Sequence, residues 1–414
     1  MREQLRKDAE QIIQNSIRAV LPDEAVACAL KEKSFSGRIF LAAVGKAAWQ
    51  MAKAAYDCLG DRIVQGVVVT KYGHSKGELP RCRCYEGGHP IPDENSFCGT
   101  RAVLDLVSNL DTGDTVLFLL SGGGSALFEL PLIPAEELQD ITNQLLASGA
   151  DIVEINTVRK RLSQVKGGRF ARMCAPASVF SVVLSDVLGD RLDIIASGPT
   201  CPDLTTCEQA QEIVGHYQLK LSELALGHLG QETPKELDNV ENVITGSVSR
   251  LCEAAALVCR ELGYEPEILT DQLNCQAREA GKMLSKLARD RAYSPTSLAL
   301  IAGGETVVRL TGTGKGGRNQ ELALSAAEGV EGLDNVLIFS VGSDGTDGPT
   351  DAAGGVVDGA TAAALREQGL EIRDVLYDND AYHALEKVNG LIFTGPTGPN
   401  VKDVAVALVK GSGR

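Results

Sequence analysis

The sequence predicts an α/β protein built as two domains, and three observations carry that expectation. Short apolar runs alternate with helical patterns in both halves of the chain. Almost every glycine- or aspartate-rich stretch falls where such a run ends. At 414 residues the chain is also too long for a single core. The alternation implies two largely parallel sheets covered by helices. Ligands of such sheets sit outside the carboxyl ends of the strands.

The first element is an amphipathic helix over residues 1–21, with Leu5, Ala9, Ile12, Ile13, Ile17 and Val20 as its apolar set. A strand at 38–44 runs straight into Gly45-Lys46 and an alanine-rich helix, and residues 65–70 form a second strand. The loop Gly87-Gly88-His89-Pro90-Ile91-Pro92-Asp93 is rigid, and Asp93 or Asn95 caps the helix that follows. The apolar run 116–120 breaks into Ser121-Gly122-Gly123-Gly124-Ser125 and resumes as a helical pattern. Glycines let the backbone turn sharply and aim several N–H groups at one point. With a helix N-terminus behind them they cradle a phosphate or a carboxylate. The plain alternative is a tight turn that binds nothing.

A basic helix at 151–165 puts Asn156 and Arg159 on one face. The strand at 178–184 ends in Ser185-Asp186-Val187-Leu188-Gly189-Asp190. Residues 201–238 are polar and form the seam, so the domains are expected at 1–235 and 236–414. In the second half a strand at 297–301 ends in Gly303-Gly304-Glu305, and 307–310 forms another. The glycine loop 311–317 then opens a helix at Arg318-Asn319. A strand at 336–341 ends in Gly342-Ser343-Asp344, residues 391–394 extend, and VAVALV is the last strand.

Composition excludes several function classes. A formal charge of −15 offers no basic stripe for nucleic acid and no attraction to an anionic membrane. No run reaches the ~18 uncharged apolar residues of a membrane span, and the N-terminus lacks the apolar core of a signal peptide. Eleven cysteines without a C-x-x-C pair fit a reduced, cytoplasmic protein.

Known signatures fail on inspection. The stretch Gly312 to Gly317 satisfies G-x-G-x-x-G, yet the next strand does not end in the acid that would hold a ribose, which argues against a nicotinamide cofactor. No P-loop is present, and Ser125 lacks the flanking glycines of a nucleophile elbow. What remains is a glycine cradle, the cations Lys46, Arg159, Lys166 and Arg318, and the carboxylates Asp186, Asp190, Asp344, Asp347 and Asp351. Phosphoryl transfer needs that combination. N–H groups and cations neutralise phosphate oxygens, carboxylates hold Mg²⁺, and a carboxylate can take the proton of an attacking hydroxyl.

The segments AAVGKAAWQMA, GGHPIPDENS, LSGGGSALFELP, INTVRKRLSQVKGGRFA, LSDVLGDRLDIIASGPT, GGETVVRLTGTGKGGRNQE, VGSDGTDGPTDAAGG and TGPTGPN together resemble the glycerate 2-kinase family, the MOFRL-type glycerate kinases. The resemblance runs through nearly the whole chain. It implies ATP-dependent phosphorylation of D-glycerate at the C2 hydroxyl, with Mg²⁺. It also implies a Rossmann-like N-terminal domain with a mostly parallel sheet, a C-terminal α/β domain, and an active site in the cleft between them. Lys46 and Arg318 match the family's catalytic lysine and arginine. The expected catalytic set is thus Lys46, Arg318 and Asp186. Ser121, Gly122, Gly123, Gly124, Ser125, Arg159, Asn319, Glu305 and Asp344 are expected to bind substrate or nucleotide, and Asp186 and Asp190 the metal. Whether the Ser121–Ser125 loop takes nucleotide phosphate or the glycerate carboxylate stays open, with the nucleotide preferred. The expected partners are small molecules, with a homodimer as one expectation for assembly. Two other readings stand beside the kinase: an NAD(P)H-dependent hydroxypyruvate reductase, and a non-catalytic sensor of small acids.

Overall fold

The computed structural model describes residues 1–31, 33–398 and 401–413. Pro399 and Asn400, which close the last motif quoted above, lie outside them. The chain packs as two units, Pro22–Thr245 and a second made of Met1–Leu21 with Gly246–Arg414.

The first unit holds a six-stranded sheet in the order β3-β2-β1-β4-β5-β6. Its strands are β1 (Ile39–Val44), β2 (Ile63–Lys71), β3 (Cys82–Gly87), β4 (Thr115–Leu120), β5 (Ser178–Leu184) and β6 (Val240–Gly246). All pairings among β1 to β5 are parallel. This is the Rossmann strand order, and the direction of chain progress reverses between β1 and β4. Both central strands are apolar on both faces because helices cover both. Phe40, Ala42, Val44, Phe118 and Leu120 form a core that includes Val103 and Leu106 of the helix Glu94–Val107. Leu41, Ala43, Leu117 and Leu119 meet the helices Pro22–Lys31 and Ala48–Leu59 on the other side. Because β6 completes this sheet, residues 236–245 pack with the first unit.

The second sheet differs from expectation. Its order is β11-β10-β9-β12-β8-β7, with β7 (Glu265–Leu273), β8 (Leu298–Gly304), β9 (Val336–Gly342), β10 (Gly354–Asp358), β11 (Leu391–Ile392) and β12 (Asp403–Val409). Only β7 and β8 pair in parallel, while β12 runs antiparallel to both β8 and β9, and β10 antiparallel to β9 and β11. The reason is local: a parallel neighbour needs a crossover element, and residues 343–353 return from β9 to β10 without a helix. The strand expected at 307–310 is reduced to one bridge between Gln276 and Val307. Its apolar residues Val307 and Leu310 stay exposed, so no core face draws them into a sheet. The helix Arg2–Ala19 belongs to this unit. It packs on the helix Val248–Glu261, and its buried Asp8 accepts a 2.6 Å hydrogen bond from the Tyr264 hydroxyl.

Candidate active site

In the first unit, the strand-order reversal brings the end of β1 beside the end of β4, and the backbone there is tightly tied. Gly45 has φ +116, and a Cβ on it would lie 2.4 Å from the Ser121 carbonyl oxygen, so only glycine fits. The Lys46 N–H donates to the Gly122 carbonyl at 2.8 Å. The Ser121 hydroxyl oxygen accepts from the Ala47 N–H at 3.0 Å. The Lys46 carbonyl accepts from the Thr70 hydroxyl at 3.3 Å and lies 3.0 Å from His74 Nδ1. Three strand ends thus fix the Lys46 backbone, while its side chain is exposed. Ser121 is a buried clamp between the two loops.

Gly123 takes the left-handed conformation, φ +86, that the turn requires. The helix expected after it is a single turn, Gly124–Leu127, so its dipole adds little. The cradle rests on N–H groups instead. Among the described residues, those of Gly122, Gly123, Gly124 and Ser125 have no acceptor. Asp186, at the end of β5, reaches this loop: a Cβ on Gly122 would sit 2.5 Å from its Oδ2. Asp190 follows in the same loop with φ +52, its N–H bonded to the Val187 carbonyl at 3.2 Å.

Beneath the loop lies an ionic floor. Lys166 is fully buried and donates from Nζ to the carbonyls of Ser125 and Phe128, each at 3.1 Å. Arg159 Nη2 donates to the same Ser125 carbonyl at 3.2 Å. Both cations face the buried Glu129, Lys166 at 3.5 Å and Arg159 at 3.4 Å. Burial pushes the Lys166 amine down to about 8, with Glu129 opposing the shift and Arg159 adding to it. Asn156 lies on the same helix, Ile152–Arg161, and accepts at Oδ1 from the Ser197 hydroxyl at 2.7 Å. The basic face of that helix is buried rather than solvated. Lys160 pairs with the buried Asp203 at 3.2 Å, and Arg161 donates to the Thr205 carbonyl at 2.7 Å.

In the second unit, Arg318 opens the helix Arg318–Ala326 and is held by Asp403 at the start of β12. Nε donates to one carboxylate oxygen at 2.5 Å and Nη2 to the other at 2.9 Å. Glu305 lies 3.8 Å from Arg318 Nη1 and accepts from Lys402 at 2.5 Å. Arg318 forms part of the wall of a cavity of about 640 Å³, together with Val307, Leu310, Gly317 and Pro349.

The N-terminus of this helix is not open to an anion. Asp347 accepts there from the N–H groups of Asn319 and Gln320 at 3.1 and 2.9 Å, and burial raises its carboxyl to about 6. The Asn319 side chain is buried between Asp347, at 3.3 Å, and the Ser340 hydroxyl, at 2.6 Å. The loop before it is likewise self-satisfied. The N–H groups of Thr311 and Gly312 go to Asn379 Oδ1, those of Thr313 and Lys315 to Asp378 and Asp380 carboxylates, and that of Gly314 to the Asp378 carbonyl. The first four N–H groups of the G-x-G-x-x-G stretch are thus already taken by residues 378–380, in line with the missing ribose acid. Asp344 accepts from the Thr346 N–H at 3.1 Å, and Asp351 from the Tyr382 hydroxyl at 2.8 Å.

Sequence reasoning passed over His89. It stands at the Gly123 loop, where a Cβ on Gly123 would lie 3.1 Å from His89 Nε2 and 3.1 Å from Lys46 Cγ. The available signal was its place in Gly87-Gly88-His89-Pro90, directly after a strand end.

Among the described residues, no three His, Cys, Asp or Glu side chains converge to hold a metal. A lone carboxylate beside unpartnered N–H groups is compatible with Mg²⁺, which keeps waters and binds through one or two carboxylates plus substrate phosphates. No helix is long and apolar enough to cross a membrane among the described residues.

Two family models match the chain, a domain of unknown function (DUF4147) over residues 8–229 and the MOFRL family over 298–403. The D-glycerate 2-kinase of Thermotoga maritima is 54% identical over 413 residues, which cover 98% of this chain and 99% of that one. A crystal structure of glycerate kinase from the same organism superposes with a TM-score of 0.93 at 52% identity, covering 98% and 100% of the two chains. A putative hydroxypyruvate reductase of Agrobacterium vitis is 36% identical, over 98% of this chain and 94% of that one.

Proposed function

The chain belongs to the glycerate 2-kinase family, and we propose that it transfers the γ-phosphoryl group of ATP to the C2 hydroxyl of D-glycerate, giving 2-phosphoglycerate and ADP. The observation that carries this reading is the run of unpartnered N–H groups from Gly122 to Ser125, flanked by Lys46 and Asp186 at the strand-order reversal. Such donors stabilise charge on phosphate oxygens without reorganising. The closed loop at 311–315 and the lower identity of the reductase-named relative both count against the reductase reading.

In this proposal Lys46 neutralises the transferring phosphoryl group from its exposed position, and the glycine loop holds nucleotide phosphate. Arg318 supplies the second cation, oriented by Asp403 and Glu305. Asp186 would hold Mg²⁺, which when bound shields the phosphate charge, and Asp190 is proposed as its outer neighbour. Glu305, Asn319 and Asp344 are proposed to bind substrate or nucleotide, Asn319 from its place beside Asp347. Eleven free thiols favour a reduced cytoplasmic setting.

The test is an assay with D-glycerate, ATP and Mg²⁺, resolving the product isomer. Formation of 2-phosphoglycerate is expected. Oxidation of NADH by hydroxypyruvate without a phosphorylated product would replace this reading with the reductase. Binding of glycerate with neither reaction would favour the sensor.

A further inference from the structure

Kinase chemistry at a secondary alcohol requires a group that takes the hydroxyl proton as the phosphorus–oxygen bond forms. Sequence reasoning offered Asp186 for that task, in competition with the metal. The structure holds another group at the same place. His89 leads out of the loop after β3 and turns its Cδ2–Nε2 edge to the point a Cβ on Gly123 would occupy, and Lys46 Cγ lies 3.1 Å from that same point. No hydrogen bond or ion pair occupies either ring nitrogen of His89 among the described residues, and the ring is half-buried.

We propose that His89 is the general base of the phosphoryl transfer, taking the proton of the C2 hydroxyl at Nε2. The proposal rests on the kinase reading above. In the step, the hydroxyl oxygen bonds to the γ-phosphorus and its proton passes to His89. The bond from that phosphorus to the bridging oxygen breaks, and its electron pair leaves with ADP. The imidazolium then returns its proton to water.

The surroundings favour a neutral ring. Burial pushes the imidazole below its usual range, and Lys46, Lys71 and His74 push the same way, with Asp186 opposing them. A base must be deprotonated to act, so activity should persist down to mildly acidic pH and fall only below the ordinary imidazole range. The carboxylate of Asp186 is thereby left to the metal, which removes the competition between its two roles.

The test uses the full-length protein with His89→Ala and His89→Gln, each checked for a wild-type melting temperature. Loss of a positioned base is expected to lower kcat by about 10²–10⁴-fold, with KM for ATP little changed. Added imidazole should restore part of the His89→Ala rate, and the acid limb of the kcat/KM profile should vanish in His89→Gln. A purely structural role would give neither result. Folded variants within about threefold of wild type in kcat, or an acid limb unchanged in His89→Gln, overturn the proposal while leaving the kinase reading intact. A wild-type protein that forms no 2-phosphoglycerate overturns both.

Discussion

Lys166 donates to the Ser125 carbonyl at 3.1 Å from a position with no exposure to water. The last residue of the glycine cradle is thus held from below by a buried cation, which is itself facing the buried Glu129. The other carbonyls of the loop are also occupied, that of Gly122 by the Lys46 N–H and those of Gly123 and Gly124 by the N–H groups of residues 126–128.

Lys166→Met is expected to destabilise the protein by about 3–5 kcal/mol, because Glu129 loses a partner in a dry site. Lys166→Met combined with Glu129→Gln should recover much of that loss, since the uncompensated charge goes too. Chemical denaturation of the two single variants and the double gives the coupling directly. A coupling near zero would mean that the pair is not what anchors the loop.

Gly123→Ala should keep the fold and lose most activity. An alanine at φ +86 carries roughly 1–2 kcal/mol of backbone strain, and its methyl would press on His89 and Lys46. Kinetics beside a thermal melt separate the two effects. Wild-type turnover would show that the loop tolerates a side chain where the ligand is expected.

Lys46 and Arg318 should behave differently on truncation. Lys46→Ala removes an exposed amine and is expected to abolish turnover with an unchanged melting temperature. Arg318→Ala leaves Asp403 buried without its guanidinium, so it should lose activity and about 3–5 kcal/mol of stability together. Adding Asp403→Asn should restore the melt without restoring the rate. Recovery of both would reduce Arg318 to a structural role.

Asp347 predicts an inverted pH dependence. Its carboxyl titrates near 6 in the folded protein, because of burial, against an unfolded value of about 3.9. Between those values the folded state binds more protons than the unfolded, so this group's contribution to stability falls as pH rises through that window. Asp347→Asn should therefore flatten the difference in stability between pH 4 and pH 6. The readout is the wild-type minus variant melting temperature across that range, and a flat difference would place the carboxyl at its ordinary value.

Much of this was legible because strand ends announce themselves. The run 38–44 meeting Gly45-Lys46, and the run 116–120 meeting Ser121 and three glycines, mark the two strand ends that turn out to flank the strand-order reversal. Of the two caps the sequence offers, Asp93 and Asn95, it is Asp93 that accepts from the Ser96 N–H at 2.9 Å. Other features depend on distant partners and left no local trace. The helix 152–161 reads as a basic surface, yet Asp203 and Glu129, far away in sequence, draw its cations inside. The stretch 312–317 satisfies a dinucleotide-binding pattern, and the sequence cannot say that Asp378, Asn379 and Asp380 take the N–H groups of 311–315. Antiparallel pairing of β12 arises from a register between elements that no periodicity encodes.

The floor under Ser125 is built from ions rather than hydrocarbon, and that bears on heat. The cost of stripping water from charges falls with rising temperature, whereas apolar burial gains little more per unit area. A cradle pinned by Lys166, Arg159 and Glu129 is accordingly expected to hold its shape on warming better than one resting on leucines. Thermal tolerance of catalysis would then be set by whichever other segment softens first.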